Sequence, residues 1–399
     1  GGAALSPSAS CPPPLPLLAQ GAMFGRRQGA DGGAAKGKRK KWQEELGSSE
    51  GEDPMDPENI DEAELKQWRK RMRREEQREE REEERGRDAR GSDAHGCKVD
   101  MTLHGHEAPV TALAVDFEKQ QAVSASADKT LRVWDLKKGR EVKSLIGHKG
   151  AVQALFVDFK KQLALSGSSD HSLKVWHLQL GTMLQTMTAH TNWVNAVAAD
   201  FGLQRGVSGS SDNTLKLWNL KSGEVLRTMS GHTRPVNVVS ADFKKNVAVS
   251  GSDDNTLIIW DISLCTVLQT LTGHSYWVRS VFADFDKKLA ISGSCDHSVK
   301  VWDLVKGESQ KTMSGHTGPV YAVSADFERQ LAVSFGCDRS ISEGTVWDME
   351  NSKAMKTLVG HEGSVNAVCA DFCKQLVVSA GDDKTLKVWR MGLRNFKKK

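Results

Sequence analysis

An all-β fold, a seven-bladed β-propeller, is what the spacing of three residue patterns predicts for this 399-residue chain. Trp recurs at 134, 176, 218, 260, 302, 347 and 389, so five of the six intervals are 42 residues and the sixth is 45. Gly-His keeps the same beat at His106, His148, His232, His274, His316 and His361, with Ala189-His190 in the remaining place. Asp-Phe follows it, beginning at Asp116, Asp158, Asp200, Asp242, Asp284, Asp326 and Asp371. A repeat of about 40–45 residues opened by Gly-His and closed by Trp has the length and punctuation of one four-stranded blade.

The elements follow in order. Residues 1–60 are rich in Gly, Pro, Ser and charge. They bury too little apolar surface to offset the entropy of ordering, and are expected to be a disordered arm. The first Met is Met23, so residues 1–22 are expected to be leader or fragment sequence. Lys36, Lys38, Arg39, Lys40 and Lys41 read as a solvated charge cluster, with a nuclear-import signal or an electrostatic contact as the alternative. Residues 61–97 form a charged helix and linker, being rich in Glu, Arg, Lys and Gln with no Gly or Pro before Gly86. Its apolar stripe, Leu65, Trp68 and Met72, stops at Met72, which supports at most a docking helix and falls short of a coiled coil.

The propeller is expected over residues 98–391. Each repeat reads as an alternating strand, an Asp-Phe turn, Leu-Ala-Val-Ser or its equivalent, a Gly/Ser/Asp turn, a strand ending in Trp, and an outer strand. In the Asp-Phe turn, Asp is expected to cap backbone N–H groups and Phe to pack between blades. After Trp389 no outer-strand phrase remains, whereas Thr102-Leu103 supplies one just before the first Gly-His. The last blade is therefore expected to be closed by the N-terminal strand Lys98–Leu103. In the sixth repeat eight residues separate Asp338 from Trp347 where the others have five, a length that either pulls Trp347 away from Ser334 and His316 or bulges outward and leaves the tetrad intact. Residues 392–399 are a basic tail.

Composition narrows the function classes. The net charge is only +4 with 27% charged residues, which argues against a dedicated nucleic-acid binder. Seven cysteines, at 11, 97, 265, 295, 337, 369 and 373, lack paired CxxC spacing and point to free thiols in a reducing compartment. No run approaches the ~18 apolar residues of a membrane span, and Pro12–Leu18 is broken by Pro and lacks a basic leader. An intracellular chain, cytoplasmic or nuclear, with no membrane partner is expected.

Every repeat also carries His, Ser, Asp and Trp at fixed offsets, such as His148, Ser166, Asp170 and Trp176. A Ser, His and Asp set suggests nucleophilic catalysis, but seven copies around a ring argue for a structural role. A buried Trp has one N–H that needs an acceptor, and a Ser-His-Asp chain supplies it. Cys295, Cys337 and His297 offer too few ligands for zinc, and no phosphate loop or metal helix is present. No catalytic residue, metal, cofactor or small-molecule substrate is expected.

The Gly-His, tetrad and Trp-Asp residues over about 98–391 resemble the WD-repeat family, with similarity to the β subunits of heterotrimeric G proteins. That resemblance implies a hydrogen-bonded structural tetrad in each blade and a partner-docking narrow face. It also implies that the third and fifth residues after each His, with the residue before the tetrad Asp, face that end. The third is Pro109, Ala151, Trp193, Pro235, Trp277, Pro319 or Ser364, and the fifth is Thr111, Gln153, Asn195, Asn237, Arg279, Tyr321 or Asn366. The expected partner-binding residues are Asn192, Trp193, Asn195, Arg234, Asn237, Tyr276, Trp277, Arg279 and Tyr321. Trp, Tyr and Arg dominate interface energetics, and Arg pairs with carboxylates, so an acidic peptide with an apolar anchor is the expected ligand.

A non-enzymatic scaffold for protein partners is the resulting reading. One alternative is an RNA-associated protein whose charged arm contacts nucleic acid, and salt dependence would separate the two. A second is a ubiquitin-ligase substrate receptor. Family receptors of one type resemble it but carry Trp-Asp-x-Arg, where this chain has Lys137, Ser263, Val305 or Glu350.

Overall fold

The computed structural model describes residues 97–338 and 341–393. Every described residue lies in one compact unit, Gly91–Lys399. The disordered arm expected over 1–60 and the helix and linker over 61–97 fall outside the described residues apart from Cys97, as does the basic tail beyond residue 393.

Twenty-eight strands, β1 to β28 in chain order, form seven four-stranded antiparallel sheets. In the first, β2 (Val110–Asp116), β3 (Gln121–Ser126), β4 (Thr130–Asp135) and β5 (Arg140–Ile146) pair in sequence order. Five more sheets repeat this order, and the first strands pack each on the next until the seventh meets β2 again. The seventh sheet differs. Its outer strand is β1 (Lys98–Leu103), paired with β28 (Leu386–Arg390) in the register Lys98↔Arg390 to Leu103↔Leu386.

The apolar core lies in the seams as much as within the blades. One cluster joins Val123, Leu131 and Leu145 of the first sheet to Val152, Ala164 and Trp176 of the second. All seven periodic Trp residues are at most 1% exposed, and each is among the largest fully buried side chains. Close approach explains the Gly in Ser-Gly-Ser. A Cβ on Gly251 would stand 2.6 Å from Val278 Cγ1 in the next blade, and Gly167 and Gly209 meet Val194 and Val236 at the same distance. The Asp-Phe turns cap as expected: Asp116 Oδ1 accepts the N–H groups of Glu118 (3.0 Å) and Lys119 (2.9 Å). Phe201 packs on Ala154, Leu165 and Val175 of the preceding blade's apolar cluster.

The sixth blade decides between the two shapes its extra length allows. Its three extra residues lengthen the hairpin of β23 (Leu331–Asp338) and β24 (Ile341–Asp348), which stay paired out to Asp338↔Ile341. Extra rungs are added beyond the buried Trp instead of inside the sheet, so Trp347 keeps its place opposite Ala332. Large and small residues also change sides. Where the third blade pairs Gly209 with Leu215, the sixth pairs Phe335 with Gly344, and a Cβ on Gly344 would lie 2.5 Å from the Phe335 ring.

Candidate protein-interaction face

The tetrads are built by strand register. In the first blade Trp134 Nε1–H donates to Ser124 Oγ at 2.7 Å, Ser124 Oγ lies 2.7 Å from His106 Nε2, and His106 Nδ1 lies 2.6 Å from Asp128 Oδ2. A carboxylate only accepts, so Nδ1 carries the proton and Nε2 of a neutral ring accepts from the Ser hydroxyl. Burial pushes the His148 and His190 rings further toward this neutral form, against the pull of Asp170 and Asp212. Burial alone would raise the carboxyls of Asp128, Asp170, Asp254, Asp296 and Asp383. The hydrogen bonds from His, Ser or Thr and backbone N–H outweigh it and hold all five well below the ordinary range. Each tetrad Ser is 0% exposed, which leaves its hydroxyl no route to a substrate.

The chain in the sixth blade is unbroken through its inner three members. Trp347 Nε1 donates to Ser334 Oγ at 2.7 Å and Ser334 Oγ lies 2.6 Å from His316 Nε2. Of the two shapes the extra length allows, Trp347 stays with Ser334 and His316, because the added length sits at the hairpin's far end.

A family model for the WD domain, G-beta repeat, matches residues 97–135, 139–177, 181–219, 223–261, 265–303, 307–342 and 352–390. This chain belongs to that family. None of the curated proteins compared matches it. Each matched segment before the sixth ends at or just after its Trp and begins at an outer strand, so a WD repeat straddles two sheets. WD propellers generally mediate protein interactions. Among the described residues no helix is long and apolar enough to cross a membrane.

The Gly-His loops and the turns bearing the tetrad Asp share one end of the disc, since in six blades the His reaches its Asp there. Here the expected partner-binding residues divide into two kinds. Asn195 and Asn237 are latches. Asn195 Nδ2 donates to Val236 O (3.0 Å) and Ser211 Oγ (2.8 Å), and Asn237 Nδ2 donates to Val278 O (3.0 Å) and Asp253 Oδ1 (2.7 Å). Thr111 and Asn366, at equivalent places, likewise donate to the Val carbonyl of the following blade. These four fifth-position residues thus tie seams together.

The others face outward or sit half-buried. Asn192 and Arg234 are exposed, while Trp193, Tyr276, Trp277, Arg279 and Tyr321 are half-buried. Tyr276 and Trp277 have ring centroids 5.0 Å apart, and the Arg279 guanidinium lies over the Trp277 ring at 4.8 Å. Arg279 turns back toward the fourth blade, where its Nη1 reaches Asn237 Oδ1 at 3.4 Å and its Nη2 lies 3.9 Å from Asp253 Oδ1. Asn237, Tyr276, Trp277 and Arg279 are thus one cluster, and Asp253 belongs to it. The sequence signal for Asp253 was its place immediately before the tetrad Asp254.

Proposed function

We propose that the propeller is a non-enzymatic scaffold that holds protein or peptide partners on the face bearing the Gly-His loops. The observation that carries this reading is the half-burial of Trp193 and Trp277. Equivalent places hold Pro109, Ala151, Pro235, Pro319 and Ser364, so the blades do not need a large aromatic there to pack. Arg234, Tyr276 and Arg279 beside them add the residue types that anchor interfaces. An acidic peptide with an apolar anchor fits this set of side chains. Closure of the ring by Lys98–Leu103, supported by its register with Leu386–Arg390, makes the disc a rigid support for that face.

The test is affinity capture with the full chain and with its W193A/W277A variant, each compared by thermal melting. Proteins held by the native chain and lost from an equally stable variant are the expected result. Identical captured sets would overturn the assignment.

A further inference from the structure

We propose that Arg279 is the residue on which a partner's carboxylate docks, and that Asp253 is its internal competitor. This rests on the reading of the Gly-His face as the docking face. A guanidinium has five N–H donors in a fixed fork and satisfies them best with carboxylate oxygens at about 2.7–2.9 Å. Arg279 has no such partner. Its contacts to Asn237 and Asp253 are 3.4 Å and 3.9 Å long, and its Nε is buried with no hydrogen-bond partner.

The loose pairing has a local cause. Asp253 Oδ1 already accepts from Asn237 Nδ2 at 2.7 Å. The same Asn-to-Asp bond recurs in the seventh blade, between Asn366 Nδ2 and Asp382 Oδ1 at 2.8 Å. That bond belongs to the seam latch, so Asp253 has a partner without Arg279. The guanidinium is left over the Trp277 ring with both Nη groups only loosely held.

The chemistry of the ligand follows. A planar carboxylate can take an N–H from each of the loosely held Nη1 and Nη2 together, which Lys cannot offer and an amide cannot match in charge. Tyr276 and Trp277 stand beside it to cover an apolar neighbour in the same peptide. Asp253, 3.9 Å from Nη2, opposes the incoming charge, so neutralising it should favour binding.

The experiment uses the full chain and N-acetylglutamate amide as probe, following side-chain Nε–Hε correlations of arginine by NMR. The Arg279 signal is identified by its loss in Arg279→Lys. We expect a saturable shift of that signal with the glutamate probe, none with N-acetylglutamine amide, and at least threefold tighter binding in Asp253→Asn. N-acetylphosphoserine amide serves as the second anion, and a response to it alone would overturn the carboxylate assignment. No shift with glutamate, or an equal shift with glutamine, would overturn the role of Arg279. Unchanged affinity in Asp253→Asn would overturn the competition. If the glutamate response fails while partners are still lost from the W193A/W277A variant, the docking face stands and the anchor is wrong.

Discussion

Ser250→Ala probes the tetrad more sharply than any other single change. Ser250 Oγ receives Trp260 Nε1–H at 2.8 Å and lies 2.7 Å from His232 Nε2, and the Ser and Trp residues are both 0% exposed. Removing one oxygen atom therefore orphans two buried polar groups. Each costs about 1–3 kcal/mol, so a total loss of about 2–6 kcal/mol is expected. Urea unfolding of the full chain followed by far-ultraviolet circular dichroism would measure it, since that signal does not depend on Trp260. The same change made in a Trp260→Phe background should cost about 1–3 kcal/mol less, because no indole N–H is left unpaired there. If the two substitutions proved additive to within about 0.5 kcal/mol, the bond between them would contribute nothing and the reasoning would fail.

Three further outcomes follow from the geometry. His316→Ala and His232→Ala should destabilise the protein equally, since both rings meet their Ser at 2.6–2.7 Å; clearly unequal urea midpoints would refute the account of the sixth blade. The tetrad carboxyls of Asp128, Asp170, Asp254, Asp296 and Asp383 lie below their ordinary value. Their contribution is full above about pH 4 and is lost as acid carries the pH down through the lowered folded-state values, so Asp254→Asn should shallow the acid side of a stability-against-pH curve. Deleting residues 1–97 should leave a cooperative transition, whereas deleting 1–104 removes β1 and its register with Leu386–Arg390 and should lower the melting temperature of the whole disc.

The seven blades are legible because Trp, Ser and His do the same task in each, and identical tasks leave identical spacing. The same logic made the Asp-Phe cap readable. What could not be read was the division of labour among the variable residues. By repeat position Asn195 and Asn237 fall with Trp193 and Trp277 at one end, but only the fold shows their amides reaching the carbonyls of Val236 and Val278 in the next blade. The insertion in the sixth repeat was visible as a length and silent as a shape. Whether extra residues bulge within a sheet or extend a hairpin depends on register, and here Phe335 opposite Gly344 lets the two strands run on together.

The pairing of the outermost strand also sets a clock on biogenesis. Arg390 Nε bonds Asp100 Oδ2 across 290 residues of sequence. At synthesis rates of about 5–20 residues per second, roughly 15–60 s pass between the emergence of the two partners. During that interval Lys98–Leu103 is an edge without a neighbour, carrying Met101 and Leu103, and six blades stand as an open arc. A nascent chain in this state is exposed to pairing with the wrong copy, and the hazard ends only when the last strand leaves the ribosome.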